Sequence, residues 1–291
     1  MTFAFRQIDL QFSTSEGQVV RLTGLRCAAI IEAPGGYIPY ASLQMRVWGM
    51  TLEHMNQFSS TGANLVVIQN SSVTVLAGDP SRPLTQIFSG TIKTAYIDFG
   101  SLPDVCFSIA AFSGYYNKST PIASNSYPGA QKAEAIIQAL VGQMVDANGN
   151  HNWGFKNPTN ATAILQDQVV TGSIMDQIQK IAANAKLPMV VDNNTVTIWN
   201  NNGSRDDVIV DVNPDTGMVG YPSYWSAGFI VKSLFNPLIA NGRGVRLSSS
   251  LPKSNGAYNV LSVTHELGTV TPDGPWFSTC KLGLPPYVTP N

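Results

Sequence analysis

The sequence predicts a mainly β protein with an α+β insertion, in which two antiparallel β domains, each a barrel or sandwich, flank a small helical and hairpin unit. Three observations carry that expectation. Apolar residues alternate with polar ones through residues 2–113, helical spacing is concentrated between 130 and 185, and short alternating runs resume after 208. With 291 residues the chain has room for about two domains with true cores.

The first alternation runs through Phe3, Phe5, Ile8, Leu10 and Phe12, continues over 19–31 and returns at Leu43, Met45, Val47 and Trp48. Successive strand side chains point to opposite faces, so this spacing buries one face of each strand. Residues 51–58 break the pattern: Leu52, Met55 and Phe58 have helical spacing, predicting one short helix. Strands are expected again at 65–69, 73–77, 87–99 and 105–112. Asn70-Ser71, Gly78-Asp79-Pro80 and Gly100-Ser101-Leu102-Pro103 separate them with turn chemistry.

Residues 113–129, rich in Gly, Ser, Asn, Tyr and Pro, read as a connector that buries little. Ile136, Ile137, Leu140, Val141 and Met144 mark one face of a helix over 130–144, ended by Asn148-Gly149. A second helix is expected over 173–185, where Ser173 and Asp176 have capping-box spacing, Ile174, Ile178, Ile181 and Ala185 form the stripe, and Pro188 stops it. Residues 189–191 and 195–199 flank Asp192-Asn193-Asn194, a hairpin signal. After a polar stretch at 200–207, strands are expected at 208–212, 229–234, 244–247, 258–266 and 276–282, before Pro285-Pro286-Tyr287. The predicted division is 1–115 for the first β domain, 116–205 for the linker and α+β insertion, and 206–291 for the second β domain and its proline-rich tail.

Charged residues make up only 12% of the chain, where about 25% is usual, and the net charge is -1. A polar, weakly charged surface suits a chain packed against neighbours. It lacks the basic face that holds a phosphate backbone, so sequence-specific nucleic-acid binding is not expected. Cys27, Cys106 and Cys280 are far apart and odd in number, fitting neither a disulfide framework nor a zinc cluster, and read as small buried hydrophobes. No stretch reaches the roughly 18 apolar residues of a membrane span, and the N-terminal residues have no signal-peptide pattern. The expectation is a soluble protein made in the cytoplasm.

Catalytic motifs are missing. His54, His151 and His265 have no metal-binding spacing. His265 and Glu266 are adjacent in a predicted strand, so they point to opposite faces, and the pair reads as a strand edge toward solvent or a partner. Asp146, Asn148 and Asn150 mimic the start of a calcium loop, but His151 replaces its glycine and Asn157 its terminal glutamate. Asp206-Asp207 reads as a solvated pair in a polar loop. Gly242-Arg243-Gly244 precedes a strand instead of opening a phosphate-binding helix. Tyr115, Tyr116, Tyr127, Trp153, Tyr221, Tyr224 and Trp225 lie near predicted loops, where such rings stack on sugars or anchor protein interfaces, the commoner use.

Several segments together resemble the baseplate hub proteins of contractile-tailed bacteriophages, whose relatives include the tail-tube fold. In the first domain these are residues 43–53 (LQMRVWGMTLE), 88–92 (FSGTI), 95–99 (AYIDF) and Pro103 leading into 105–111 (VCFSIAA). In the last they are 217–222 (GMVGYP), 228–239 (GFIVKSLFNPLI), 244–249 (GVRLSS), 258–265 (YNVLSVTH) and 276–279 (WFST). The resemblance implies two tail-tube-like antiparallel β-barrel domains flanking the insertion. It also implies a homotrimeric ring whose six β domains join a three-fold spike or needle protein to a six-fold tail tube around a DNA conduit, with baseplate wedge proteins and tube or tube-initiator proteins as neighbours. No catalytic, cofactor-binding or metal-binding residue is implied, and the place of action is the virion tail baseplate. Leu234 is expected inside a barrel strand. A tail-tube or tube-initiator subunit, a glycan-binding tail adhesin and a peptidoglycan hydrolase using Glu266 or Asp206 are the rival readings.

Overall fold

The computed structural model describes residues 6–284 except 15–16, 36–39, 61–70, 101 and 147–148. The strand expected at 65–69 lies outside the described residues, as do Phe3, Phe5, Asn70, Ser101, Asn148 and the proline-rich tail. In chain order the first elements are β1 (Gln7–Ser13), β2 (Val19–Leu22), β3 (Arg26–Ala33), β4 (Ser42–Trp48), α1 (Leu52–Phe58), β5 (Ser72–Gly78), β6 (Thr85–Asp98) and β7 (Cys106–Phe112). Ile8, Leu10, Phe12, Leu43, Met45 and Val47 are all buried, as period-two spacing requires. Thr51 caps α1 by accepting from the His54 N–H, and Met55 and Phe58 turn inward while Leu52 faces solvent. Phe58 stacks on Phe12 with ring centroids 4.7 Å apart, which pins the helix to the sheet.

The first half of β6 pairs with β5 and the second half with β7. Gly90 sits where the partner changes: a Cβ there would lie 2.6 Å from the Phe112 carbonyl oxygen, so glycine alone permits the close approach.

The middle of the chain contains α2 (Tyr115–Ser119), β8 (Asn125–Lys132), α3 (Ala133–Val141), β9 (Gly154–Lys156), β10 (Ile164–Val170), α4 (Ile174–Asn184), β11 (Met189–Asp192) and β12 (Thr195–Ile198). The predicted connector is therefore structured. Gly114 turns into α2 at φ 73°, and buried Asn117 exchanges hydrogen bonds with both backbone groups of Val145. β8 gains its backbone partners from β10, so pairing overrides its turn-rich composition, and α3 starts later than expected. The reciprocal Ser173–Asp176 cap opens α4 as predicted. Asn193 and Asn194, at φ 47° and 56°, form the tight turn of the β11–β12 hairpin.

The last elements are β13 (Ile209–Val212), β14 (Met218–Trp225), β15 (Gly228–Leu234), β16 (Gly244–Leu247), a 3-10 turn (Pro252–Ser254), β17 (Gly256–Thr269) and β18 (Trp276–Gly283). The dominant sheet has the order β14-β15-β18-β17-β3-β4-β7-β6-β5-β1-β2, with β13 joined in parallel to β16 and β16 antiparallel to β17. β3 pairs with β17 from Cys27↔Thr269 to Ala33↔Val263, so the first and last β regions share one ladder. Among the described residues that ladder runs from a β14 edge to a β2 edge with no pair closing it into a barrel.

Buried apolar residues fall into three clusters: one under β1–β7, one between α3, α4 and the β9–β12 strands, and one under β13–β18. Cys27, Cys106 and Cys280 are all buried, and burial pushes the Cys27 and Cys280 thiols up to about 12. No helix among the described residues is long and apolar enough to cross a membrane. Arg205 makes a two-pronged contact with Asp192 at 2.7 and 3.1 Å while its backbone N–H donates to Gly242 O, tying the middle region to the last.

Leu234 corrects the sequence reading. It lies on β15, but it is 49% exposed because Val231 and Ser233 take the inward positions. Val231→Asp should therefore cost several kcal/mol through an unpaired buried charge, whereas Leu234→Asp should stay within about 1 kcal/mol of the parent in chemical denaturation. Equal effects of the two changes would show that the facing of β15 is wrong.

His265 also departs from its expected edge position. It is 7% exposed in the centre of the sheet, with Nδ1 2.9 Å from Ser278 Oγ and its ring edge-on to Phe235. Ser278 Oγ also accepts from the Asn236 N–H, so one hydroxyl holds both the imidazole and the turn after β15. Burial pulls the imidazole down from 6.5 to about 4. Between those values the unfolded chain binds a proton that the folded chain refuses, so stability falls as pH drops through this window. Melting curves from pH 7 to 4 should show this loss, on the order of 2–3 kcal/mol at pH 4, and His265→Gln should flatten it. An unchanged slope in the variant would contradict the assignment.

Candidate assembly surface

The site is built from strand parity. In β3, Cys27, Ala29 and Ile31 point to the core, leaving Ala28, Ile30 and Glu32 on the opposite face. The same alternation leaves Gln44 and Arg46 outward on β4 and Ser108 and Ala110 outward on β7. The ladder registers align these outward residues into rows. One row runs Leu234, Phe277, Glu266, Ile30, Gln44, Ala110 and Thr94 across β15, β18, β17, β3, β4, β7 and β6. Seven strands at about 4.8 Å spacing make this face roughly 29 Å wide.

The face is concave and carries charge of both signs, with Glu32, Arg46 and Glu266 among the residues of its depression. A depression of about 700 Å3 is lined by Ala28, Ile30, Gln44, Ser108, Ala110 and Tyr96 among others. Ile30 is 42% exposed there, an apolar side chain at the centre of the row. Glu266 faces Lys232 at 3.9 Å, and Lys232 lies 4.3 Å from the Phe277 ring centre, so this pair is neutralised within the face. Such exposed pairs contribute little stability.

At one end of the ladder, β14 offers its unpaired edge. Its residues, MVGYPSYW, carry no charge, and Tyr221 and Tyr224 are 70% and 79% exposed. The Tyr224 ring meets Phe229 edge-on at 6.1 Å, and Phe229 meets Tyr258 at 5.7 Å, giving the edge a rigid aromatic flank. A register break between Val219 and Ser223, with Gly220 at φ 72°, lifts Tyr221 out of the ladder. Alternation did not reveal β14, because this break and Pro222 interrupt its period; only the likeness at 217–222 marked the segment.

The other residues singled out in the sequence are dispersed. Glu266 and His265 occupy opposite faces of β17, as period two requires, so they share no site. Asp206 pairs with Arg243 at 2.9 Å and accepts from the Val208 N–H, while Asp207 is exposed. Asp146 closes its turn by accepting from the Asn150 N–H and the Asn152 side chain. Trp153 Nε1 donates to Val145 O and Trp225 Nε1 to Leu282 O. Tyr115, Tyr116 and Tyr127 are half-buried. No cluster of three metal-ligating side chains exists among the described residues.

The comparisons with known proteins agree with this architecture. The tail protein from Neisseria meningitidis MC58 superposes with a TM-score of 0.65 at 8% identity, over 94% of this chain and 96% of that one. The 43 kDa tail protein of prophage MuSo2 from Shewanella oneidensis gives 0.63 at 8% identity, over 96% and 97%. The E. coli c3393 protein, a component of the type VI secretion system with structural similarity to the T4 tail proteins gp27 and gp5, gives 0.55 at 9% identity, over 97% and 74%. No curated protein matches the sequence. The family model described as baseplate hub gp41 matches residues 38–278, from the end of the β3–β4 connection into β18, and the chain belongs to that family.

Proposed function

We propose that this protein is the central hub of a phage or phage-like contractile baseplate, acting as a homotrimer that couples a three-fold spike to a six-fold tail tube around the DNA conduit. The observation that carries the reading is the β17–β3 ladder, which holds two β units of each subunit in one continuous sheet. Three such subunits present six β units, which is the arithmetic of a three-to-six adaptor. We read the three buried clusters as three units, with the α+β insertion outside the ring wall. The concave sheet face, with charges of both signs and no basic excess, suits a lumen that passes DNA without holding it. The free β14 edge, with its tyrosines, suits subunit or spike contacts.

The role is structural, with no cofactor and no catalytic group. Spike, tube and wedge proteins of the baseplate are the partners, and the chain is made in the host cytoplasm before joining the virion. The second reading, a tail-tube or tube-initiator subunit, differs in symmetry. Light scattering after size exclusion should give three times 31.2 kDa, about 94 kDa. A six-fold mass would replace the hub reading with the tube reading, and a monomer at high concentration would sink self-assembly into a trimer.

A further inference from the structure

We infer that the cleft between the first β region and the α+β region is a binding site for one saccharide ring. The cleft has a volume of about 190 Å3 and is bounded on one side by the ends of β1, β5 and the middle of β6 and on the other by α2, Val145, Asp146 and Trp153. It gathers three residues that the sequence left unconnected: Tyr116 and Trp153, flagged as rings for sugars or interfaces, and Asp146 of the failed calcium loop. The inference stands on this cleft alone and is independent of the oligomeric state.

The lining chemistry selects the ligand class. Ser13, Ser72, Thr91 and Tyr116 present hydroxyls with no side-chain hydrogen-bond partner among the described residues. A hydroxyl both donates and accepts, which matches the hydroxyls of a sugar. Asn194 adds an amide. Asp146 is held in place by the Asn150 N–H at 2.9 Å, the Asn150 amide at 3.2 Å and the Asn152 amide at 3.0 Å, which fixes this wall of the cleft. The Trp153 ring is fixed through its 3.1 Å bond to Val145 O. A fixed indole beside a hydroxyl-lined wall fits the two faces of a pyranose, one apolar and one polar.

Other ligands fit less well. Neither lysine nor arginine lines the cleft, which disfavours phosphate, and a single carboxylate already bonded to amides makes a poor cation site. An apolar ligand would strand the four hydroxyls. The volume is below the roughly 300–1,000 Å3 of drug-sized pockets, which limits the occupant to about one ring.

Saturation-transfer NMR on the intact chain tests this with glucose, galactose, N-acetylglucosamine and its β-linked disaccharide, each up to about 20 mM. At least one should receive saturation, and Tyr116→Phe combined with Thr91→Val should weaken its binding about tenfold, while Tyr221→Phe, far from the cleft, leaves it unchanged. Disaccharide binding as strong as that of the monosaccharide identifies the end of a glycan chain as ligand, and weaker binding identifies a free sugar. No transfer from any of the four, or transfer indifferent to the double change in a variant with unaltered melting, would overturn the proposal.

Discussion

The structure depends on one strand pairing. β17, near the C-terminal end, hydrogen-bonds along β3, near the N-terminal end, and every relation between the first and last β regions follows from it. The pairing closes a very long loop, whose entropy must be offset by many contacts formed at once. The inward residues of β17 show how this happens: Val263 packs in the third cluster, Leu267 in the first, and His265 stands between them. Phe235 and Trp276, 5.2 Å apart edge-on, pack against the first cluster and close the space around the imidazole. The buried polar side chains of the seam are hydrogen-bonded, His265 with Ser278 and Thr269 to Leu25 O.

The same pairing makes the outer face. Because one continuous ladder holds seven strands in register, outward residues from both β regions form single rows. Two separately folded domains on a linker would not hold such a surface at fixed curvature. Small side chains such as Ala28, Ser108 and Ala110 line the depression beside charges of both signs, Glu32, Arg46 and Glu266. The unpaired β14 edge then marks where the sheet can meet another chain.

Much of the fold was legible because local patterns coincide with burial. Ile8, Leu10 and Phe12 alternate and are buried; Ser173 and Asp176 have capping spacing and cap. Elements defined by pairing were not legible. β8 (NSYPGAQK) has the composition of a loop and becomes a strand through β10, and β14 is broken by its bulge and proline. Facing was the other difficulty: Leu234 belongs to the predicted strand but to its outward side, and His265 was read as an edge residue because nothing local announces β3 as its neighbour. The surface itself was the least visible, since its rows exist only after the register is known. Asp206, read as half of a solvated pair, is instead held by Arg243, a partner 37 residues away that no local spacing announces.

The central claim is that the β17–β3 seam is as stable as the cores it joins. Native-state hydrogen exchange of the amides along Val263–Thr269 and Cys27–Ala33 tests it most directly. The account predicts that these amides exchange only through the same global opening as the buried strands β4 and β18. Exchange of the seam through a much cheaper opening, with both cores still protected, would contradict it and make the two β regions independent bodies.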